Sequence, residues 1–220
     1  MGFYPAFLDL SRKPCLVVGG GAVALQKTKS LKAAGARVTV VAAEFRPEFR
    51  RLAGVRLARR GFRPADLGSG GRRPWIVVAA TDDEALHRRI ATLCRARGIW
   101  ANVADRPPLC DFIVPAVVRR GPVTLAVSTG GRSPALAKFI GGRLRAMVGE
   151  EYGRLGRLLS GLRPRLRGLP LERRVKMLES VISEKTLALL RKGGRAAVDR
   201  LRGRIRAAIQ EAERESRAEI

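Results

Sequence analysis

The chain has 220 residues, 46% hydrophobic and only 5% aromatic, which supplies an aliphatic core but little for a base-stacking surface. Lys and Arg outnumber Asp and Glu 24 to 9 over 1–140 and 20 to 10 over 141–220, so the net charge of +25 is a field that attracts polyanions and not a tail. No apolar run reaches the length of a membrane span, no signal peptide opens the chain, and Cys15, Cys94 and Cys110 are too scattered for disulfides or a thiolate zinc site, which together predict a cytoplasmic protein.

The apolar opening Phe3–Leu10 reads as a short strand or an extended arm. Ser11–Pro14 turns into a buried strand, Cys15–Val18. Gly19-Gly20-Gly21-Ala22-Val23-Ala24 follows with the spacing G-x-G-x-x-A. Gly19 permits the tight turn, Gly21 lets the backbone approach a pyrophosphate, and Ala24 lets helix and strand pack closely. The helix, expected from Ala22 to about Ala34, offers free N–H groups and a positive dipole end to phosphates. With a second strand at Arg37–Val41, one βαβ unit closes within about thirty residues, as a dinucleotide fold requires. Glu44 stands just past that strand. It is read either as a ligand of the adenosine ribose, favouring NAD over NADP, or as a solvated surface acid near Arg46.

Pro47–Leu52 reads as a short helix, Val55–Arg59 as a third strand and Gly68–Gly71 as a flexible loop. Trp75–Ala80 is apolar throughout and so a central strand. Thr81 or Asp82 should cap the helix running to about Arg97, with Thr81 bordering the dinucleotide site. His87, the one histidine, is expected on the exposed side of that helix. Gly98–Val103 is a fifth strand, which puts Asp105 just beyond its carboxyl end, on the edge where open α/β sheets bind ligands. Val114 onward changes regime. Ala116–Arg120 and Val123–Val127 form a hairpin, and Ser128–Pro134 leads into a helix to about Val148. That loop is an anion cradle built around Arg132, or simply a loop with its cap. A β-β-α element this small predicts pairing with a second chain, a homodimer. From Glu151 the pattern is basic and helical, punctuated at Gly161–Pro164, Gly168–Pro170 and Gly193-Gly194.

Taken together, four stretches resemble the precorrin-2 dehydrogenase / sirohydrochlorin ferrochelatase family, the N-terminal module of sirohaem synthases. They are Phe3–Leu10 with Gly19–Ala24 and Lys27; Val78–Asp83; Asn102–Asp105 with Pro107, Cys110–Ile113 and Pro115; and Ala126–Pro134. The resemblance implies a Rossmann-like parallel-sheet domain (1–113), a small β-β-α dimerisation and substrate region (114–150) and a helical C-terminal domain (151–220). It implies NAD-dependent oxidation of precorrin-2 to sirohydrochlorin, with ferrochelatase activity giving sirohaem as a second possibility. Asp105 would be the general acid/base, and would also serve transiently when ferrous iron is inserted. Gly19, Gly21, Ala22, Val23, Ala43, Glu44, Thr81 and Asn102 would contact NAD. Ser128, Gly130 and Arg132 would contact the polycarboxylate ring, to which the basic field is suited. The competing reading is a non-catalytic NAD-sensing module whose basic helices bind nucleic acid.

Overall fold

The computed structural model describes residues 2–68, 73–193 and 195–218. Ser69, Gly70 and Gly71 of the expected flexible loop, and Gly194, lie outside them. The chain divides after Val114 into two compact units.

The first unit is built on a five-stranded parallel sheet of β1 (Pro14–Val18), β2 (Arg37–Ala42), β3 (Arg56–Arg59), β4 (Ile76–Ala79) and β5 (Trp100–Val103), in the order β3-β2-β1-β4-β5. Helix α1 (Ala22–Ala33) links β1 to β2, and α2 (Glu84–Arg95) links β4 to β5. Strands β1 and β4 are covered on both faces, so apolar residues run continuously instead of alternating. Val17, Val40 and Val78 pack with Ala24, Leu25 and Phe49 on one side. Leu16, Val18, Val77 and Ala79 pack with Ile90, Ala91 and Cys94 on the other. Val18 is in register with both Val41 and Ala79, so the residues that follow three central strands leave the sheet at one edge. The strand order reverses between β1 and β4, which makes that edge a ligand-binding crevice.

Two expectations about α2 need correcting. Its N-cap is Asp83, whose carboxylate accepts the Leu86 N–H at 2.9 Å, and neither Thr81 nor Asp82. His87 is buried, at 5% exposure, and not on the outer face. It opens the stripe His87, Ile90, Ala91, Cys94 that packs on the sheet, a spacing of i, i+3, i+4, i+7.

The second unit begins with an antiparallel hairpin, β6 (Ala116–Arg120) and β7 (Val123–Val127), turned by Gly121-Pro122. Helix α3 (Pro134–Met147) follows, capped by the Ser133 side chain on the Leu136 N–H. Four further helices are α4 (Glu150–Leu166), α5 (Leu171–Val181), α6 (Glu184–Lys192) and α7 (Arg195–Ala218). Their shared core includes Leu155, Leu166, Leu190, Leu201 and Ile205. Arg191 donates twice to the buried Glu151, at 2.8 and 3.1 Å, tying α6 to α4. The expected break at Gly161–Pro164 does not occur: α4 runs through both. Pro164 sits in the last turn, where its missing N–H costs one hydrogen bond and no more helix follows to be kinked.

Candidate active site

At the carboxyl edge of the first unit's sheet lies a cavity of about 510 Å³. Its walls include the glycine turn Gly19–Gly21, the start of α1 at Ala22 and Val23, Ala43 and Glu44 after β2, Thr81 after β4, and Asp105 after β5. Every expected cofactor contact except Asn102 is brought to this one space. Asn102 is buried and faces inward, donating to the Phe112 carbonyl at 3.0 Å. Its amide holds the chain leaving β5, so it supports the wall from behind.

The glycine turn shows why each residue must be small. Gly19 has φ +125°, a left-handed conformation that side chains avoid, and a Cβ there would run into the Ala80 carbonyl. A Cβ on Gly20 would run into the Glu44 carbonyl. Gly20 is a requirement that the G-x-G-x-x-A spacing did not reveal. Its own carbonyl accepts the Arg46 N–H at 3.0 Å, so the turn is laced to the segment after β2. Gly21 differs, because a Cβ there would meet nothing within 4 Å. That open space adjoins the first turn of α1, which no side chain caps. The N–H groups of that turn have no partner inside the helix, and a pyrophosphate satisfies them. The cavity therefore fits a dinucleotide on the chemistry of its donors.

Glu44 is exposed on the cavity wall. Arg46, the cation two residues on, is engaged with Glu48 at 3.1 Å. A carboxylate in this place accepts from ribose hydroxyls and repels a 2′-phosphate.

Asp105 is exposed and has φ +56°, one of two non-glycine residues with positive φ among the described residues. The left-handed turn redirects the chain right after β5, where the Ala104 N–H still bonds the Ala79 carbonyl at 2.9 Å. Arg106 beside it pairs with Glu84 at 3.3 Å. Lys27, on α1, is half-buried. Burial lowers its pKa, and the neighbouring Cys110 and Asp105 oppose that shift. A basic group thus stands within electrostatic reach of the carboxylate. Burial pushes the Cys15 thiol up to about 11 and the Cys94 thiol up to about 12. Cys110 is raised chiefly by burial, and its Sγ bonds the Val103 carbonyl at 3.2 Å.

Sequence reasoning passed over Gly61, Phe62 and Leu86 in the cavity wall. Gly61 and Phe62 follow β3, and the rule that selected Glu44 after β2 applies equally to them.

Ser128, Gly130 and Arg132 lie in the second unit, in the loop between β7 and α3. The loop satisfies part of its own backbone. Ser128 Oγ accepts the Gly130 N–H at 3.1 Å, and the Thr129 hydroxyl accepts the Ser133 N–H at 3.0 Å and donates to the Ser133 carbonyl at 2.9 Å. The Arg132 N–H bonds the Thr129 carbonyl at 3.2 Å. What this loop offers an anion includes the exposed Ser128 hydroxyl and the exposed Arg132 side chain.

The chain is similar to several known proteins. A family described as putative NAD(P)-binding matches residues 6–116. A protein named siroheme synthase from Thioalkalivibrio sulfidiphilus is 45% identical over 166 residues, covering 74% of this chain and 33% of that protein. One of the same name from Methylococcus capsulatus is 45% identical over 170 residues, covering 76% and 35%. The chain thus aligns with about a third of the length of these curated relatives. A solved structure named SirC, precorrin-2 dehydrogenase, is 25% identical with a TM-score of 0.70, covering 96% of this chain and 100% of that one.

Proposed function

The chain belongs to the putative NAD(P)-binding family and is a relative of the siroheme synthases, and on that premise we propose that it oxidises precorrin-2 to sirohydrochlorin with NAD. The observation that carries this reading is that Asp105 and the glycine turn line one cavity. Bound NAD supplies the hydride acceptor. The N–H groups at the start of α1 hold its pyrophosphate, Gly21 leaves the room for it, and Glu44 with Ala43 receives the adenosine ribose. Thr81 lies against the same cofactor.

Asp105 has the second task. The ring sheds protons as well as a hydride, and a carboxylate within hydrogen-bond reach takes them up as general base. Lys27 stands within electrostatic reach of Asp105. Ser128, Gly130 and Arg132 receive the ring's carboxylates, and the surplus of Lys and Arg steers this polyanion in. Insertion of ferrous iron as a second substrate would use Asp105 again, for the two pyrrole protons that the metal displaces. The protein works in the cytoplasm and as a homodimer on this reading. Leu136, Phe139 and Met147 on α3 support the pairing, being 48%, 63% and 68% exposed. No helix among the described residues is long and apolar enough to cross a membrane.

The test is NADH formation from precorrin-2, followed by absorbance, for wild type and Asp105→Asn. Asn tolerates the left-handed backbone as Asp does, so the turn survives while the base is lost. Turnover is expected to fall about 10²- to 10⁴-fold with NAD binding retained. An inactive wild type, or a fully active variant, contradicts the assignment. Adding ferrous ion after the oxidation, and following the metallated spectrum, reads the chelation step.

A further inference from the structure

We propose that His87 is a positioning residue of the dinucleotide cavity, whose unprotonated Nε2 fixes what Thr81 presents to the cofactor. The inference rests on the reading of Thr81 as a cofactor contact. His87 is buried on α2 and is not part of the cavity wall. Its Nε2 lies 3.2 Å from the Thr81 main-chain nitrogen and 3.1 Å from the Thr81 Oγ1. A main-chain N–H only donates, so Nε2 is the acceptor, and a neutral ring then carries its proton on Nδ1.

That assignment sets the hydroxyl as well. Thr81 Oγ1 accepts the Asp83 N–H at 3.3 Å. Its single hydrogen lies nearest the same Nε2 lone pair, which it shares with the Thr81 N–H in a three-centre bond. What remains for a bound molecule is an oxygen lone pair. In that arrangement Thr81 meets the cofactor as an acceptor, matched to a ribose hydroxyl or a carboxamide NH₂. The anchoring also reaches the glycine turn, since a Cβ placed on Gly19 would come within 3.4 Å of the Thr81 methyl. The cap of α2 does not depend on His87, because Asp83 supplies it alone. The ring is thus dispensable to the helix start but not to the direction of the hydroxyl.

Two measurements on the full chain test this. The protein has one histidine, so the ring nitrogens give a single assignable pair of ¹⁵N resonances. The expected spectrum shows the proton on Nδ1, with Nε2 shifting when NAD⁺ is added. A proton on Nε2, or no response to NAD⁺, overturns the proposal without any mutation. In calorimetry, His87→Leu should weaken NAD⁺ binding about tenfold, as expected for a buried donor left without its acceptor. His87→Gln, which returns an acceptor at the Nε2 position, should recover most of that affinity. An equal loss in both variants, or none in either, means that the ring only fills space. If His87→Leu fails to fold, the tautomer and the His87→Gln affinity decide. A wild type that does not bind NAD⁺ brings down the cofactor reading itself, an outcome distinct from a wild type that binds and a His87→Leu variant that binds equally.

Discussion

The molecule contains two strand–glycine loop–helix passages, one in each unit, and they solve the same problem in opposite ways. Between β1 and α1 no side chain caps the helix, and the donors of its first turn are left for a ligand. Between β7 and α3 the loop closes on itself, with Ser133 as cap and with Ser128 and Thr129 taking up nearby N–H groups. The glycines differ accordingly. Gly19 and Gly20 are packed against carbonyls where no Cβ fits, whereas a Cβ on Gly130 meets nothing within 4 Å. A glycine-rich loop before a helix is therefore not in itself an anion site. What decides is whether the loop's own hydroxyls have already consumed the donors.

The contrast is broken most severely by changing the packed glycines. Gly20→Ala should destabilise the protein by about 2–3 kcal/mol and abolish NAD⁺ binding, because the Glu44 carbonyl belongs to backbone that cannot swing aside. Gly130→Ala should cost only the left-handed backbone penalty, about 1–2 kcal/mol, with NAD⁺ affinity unchanged. Urea unfolding and calorimetry on the pair give both numbers. Equal losses in the two variants would mean that the loops are built alike.

A smaller effect concerns the cap. Ser133→Ala should lower stability by about 1 kcal/mol in urea and leave NAD⁺ binding alone. A loss of NAD⁺ affinity would show that the second loop also serves the cofactor.

The smallest separates scaffold from cavity. Asp66 accepts from Arg60 at 2.8 and 2.5 Å and from the Arg63 N–H at 2.8 Å. The Arg60 hydrogen bond, above all, holds its carboxyl below the ordinary value of 3.8. A depressed carboxylate contributes stability above its unfolded value and loses it as the pH falls through the folded one. The stability gap between wild type and Asp66→Asn should thus be present at neutral pH and close below about pH 3.8. A gap that is constant with pH would contradict the ion pair.

Much of the first unit was legible because its chemistry is local. The glycine turn, the apolar runs of β1 and β4 and the position of Asp105 past β5 follow from neighbouring residues. The hairpin Ala116–Arg120 and Val123–Val127 was equally plain from Gly121-Pro122. What was missed depends on contacts across the fold. Gly20 is fixed by a carbonyl after β2, twenty-four residues on. His87 was read as exposed because Arg88 and Arg89 adjoin it, although its i, i+3, i+4, i+7 spacing with Ile90, Ala91 and Cys94 already marked the buried stripe. Asn102 carried a polar side chain beside the expected site, yet strand alternation turned it toward Phe112. Gly161 and Pro164 have the composition of breakers, but Pro164 falls in the last turn of α4 and a single glycine inside a helix costs only about 1 kcal/mol against alanine.

The open first loop is the centre of the account, and Gly21→Val probes it most directly. Gly21 has ordinary extended backbone, φ −82° and ψ −170°, and empty space where its side chain would go. Calorimetric titration with NAD⁺, alongside urea unfolding, should find a folded variant less stable than wild type by about 1 kcal/mol, the cost of valine at an N-cap, that has lost measurable NAD⁺ binding. A stable Gly21→Val variant that binds NAD⁺ as tightly as wild type would contradict the claim that this turn holds the pyrophosphate.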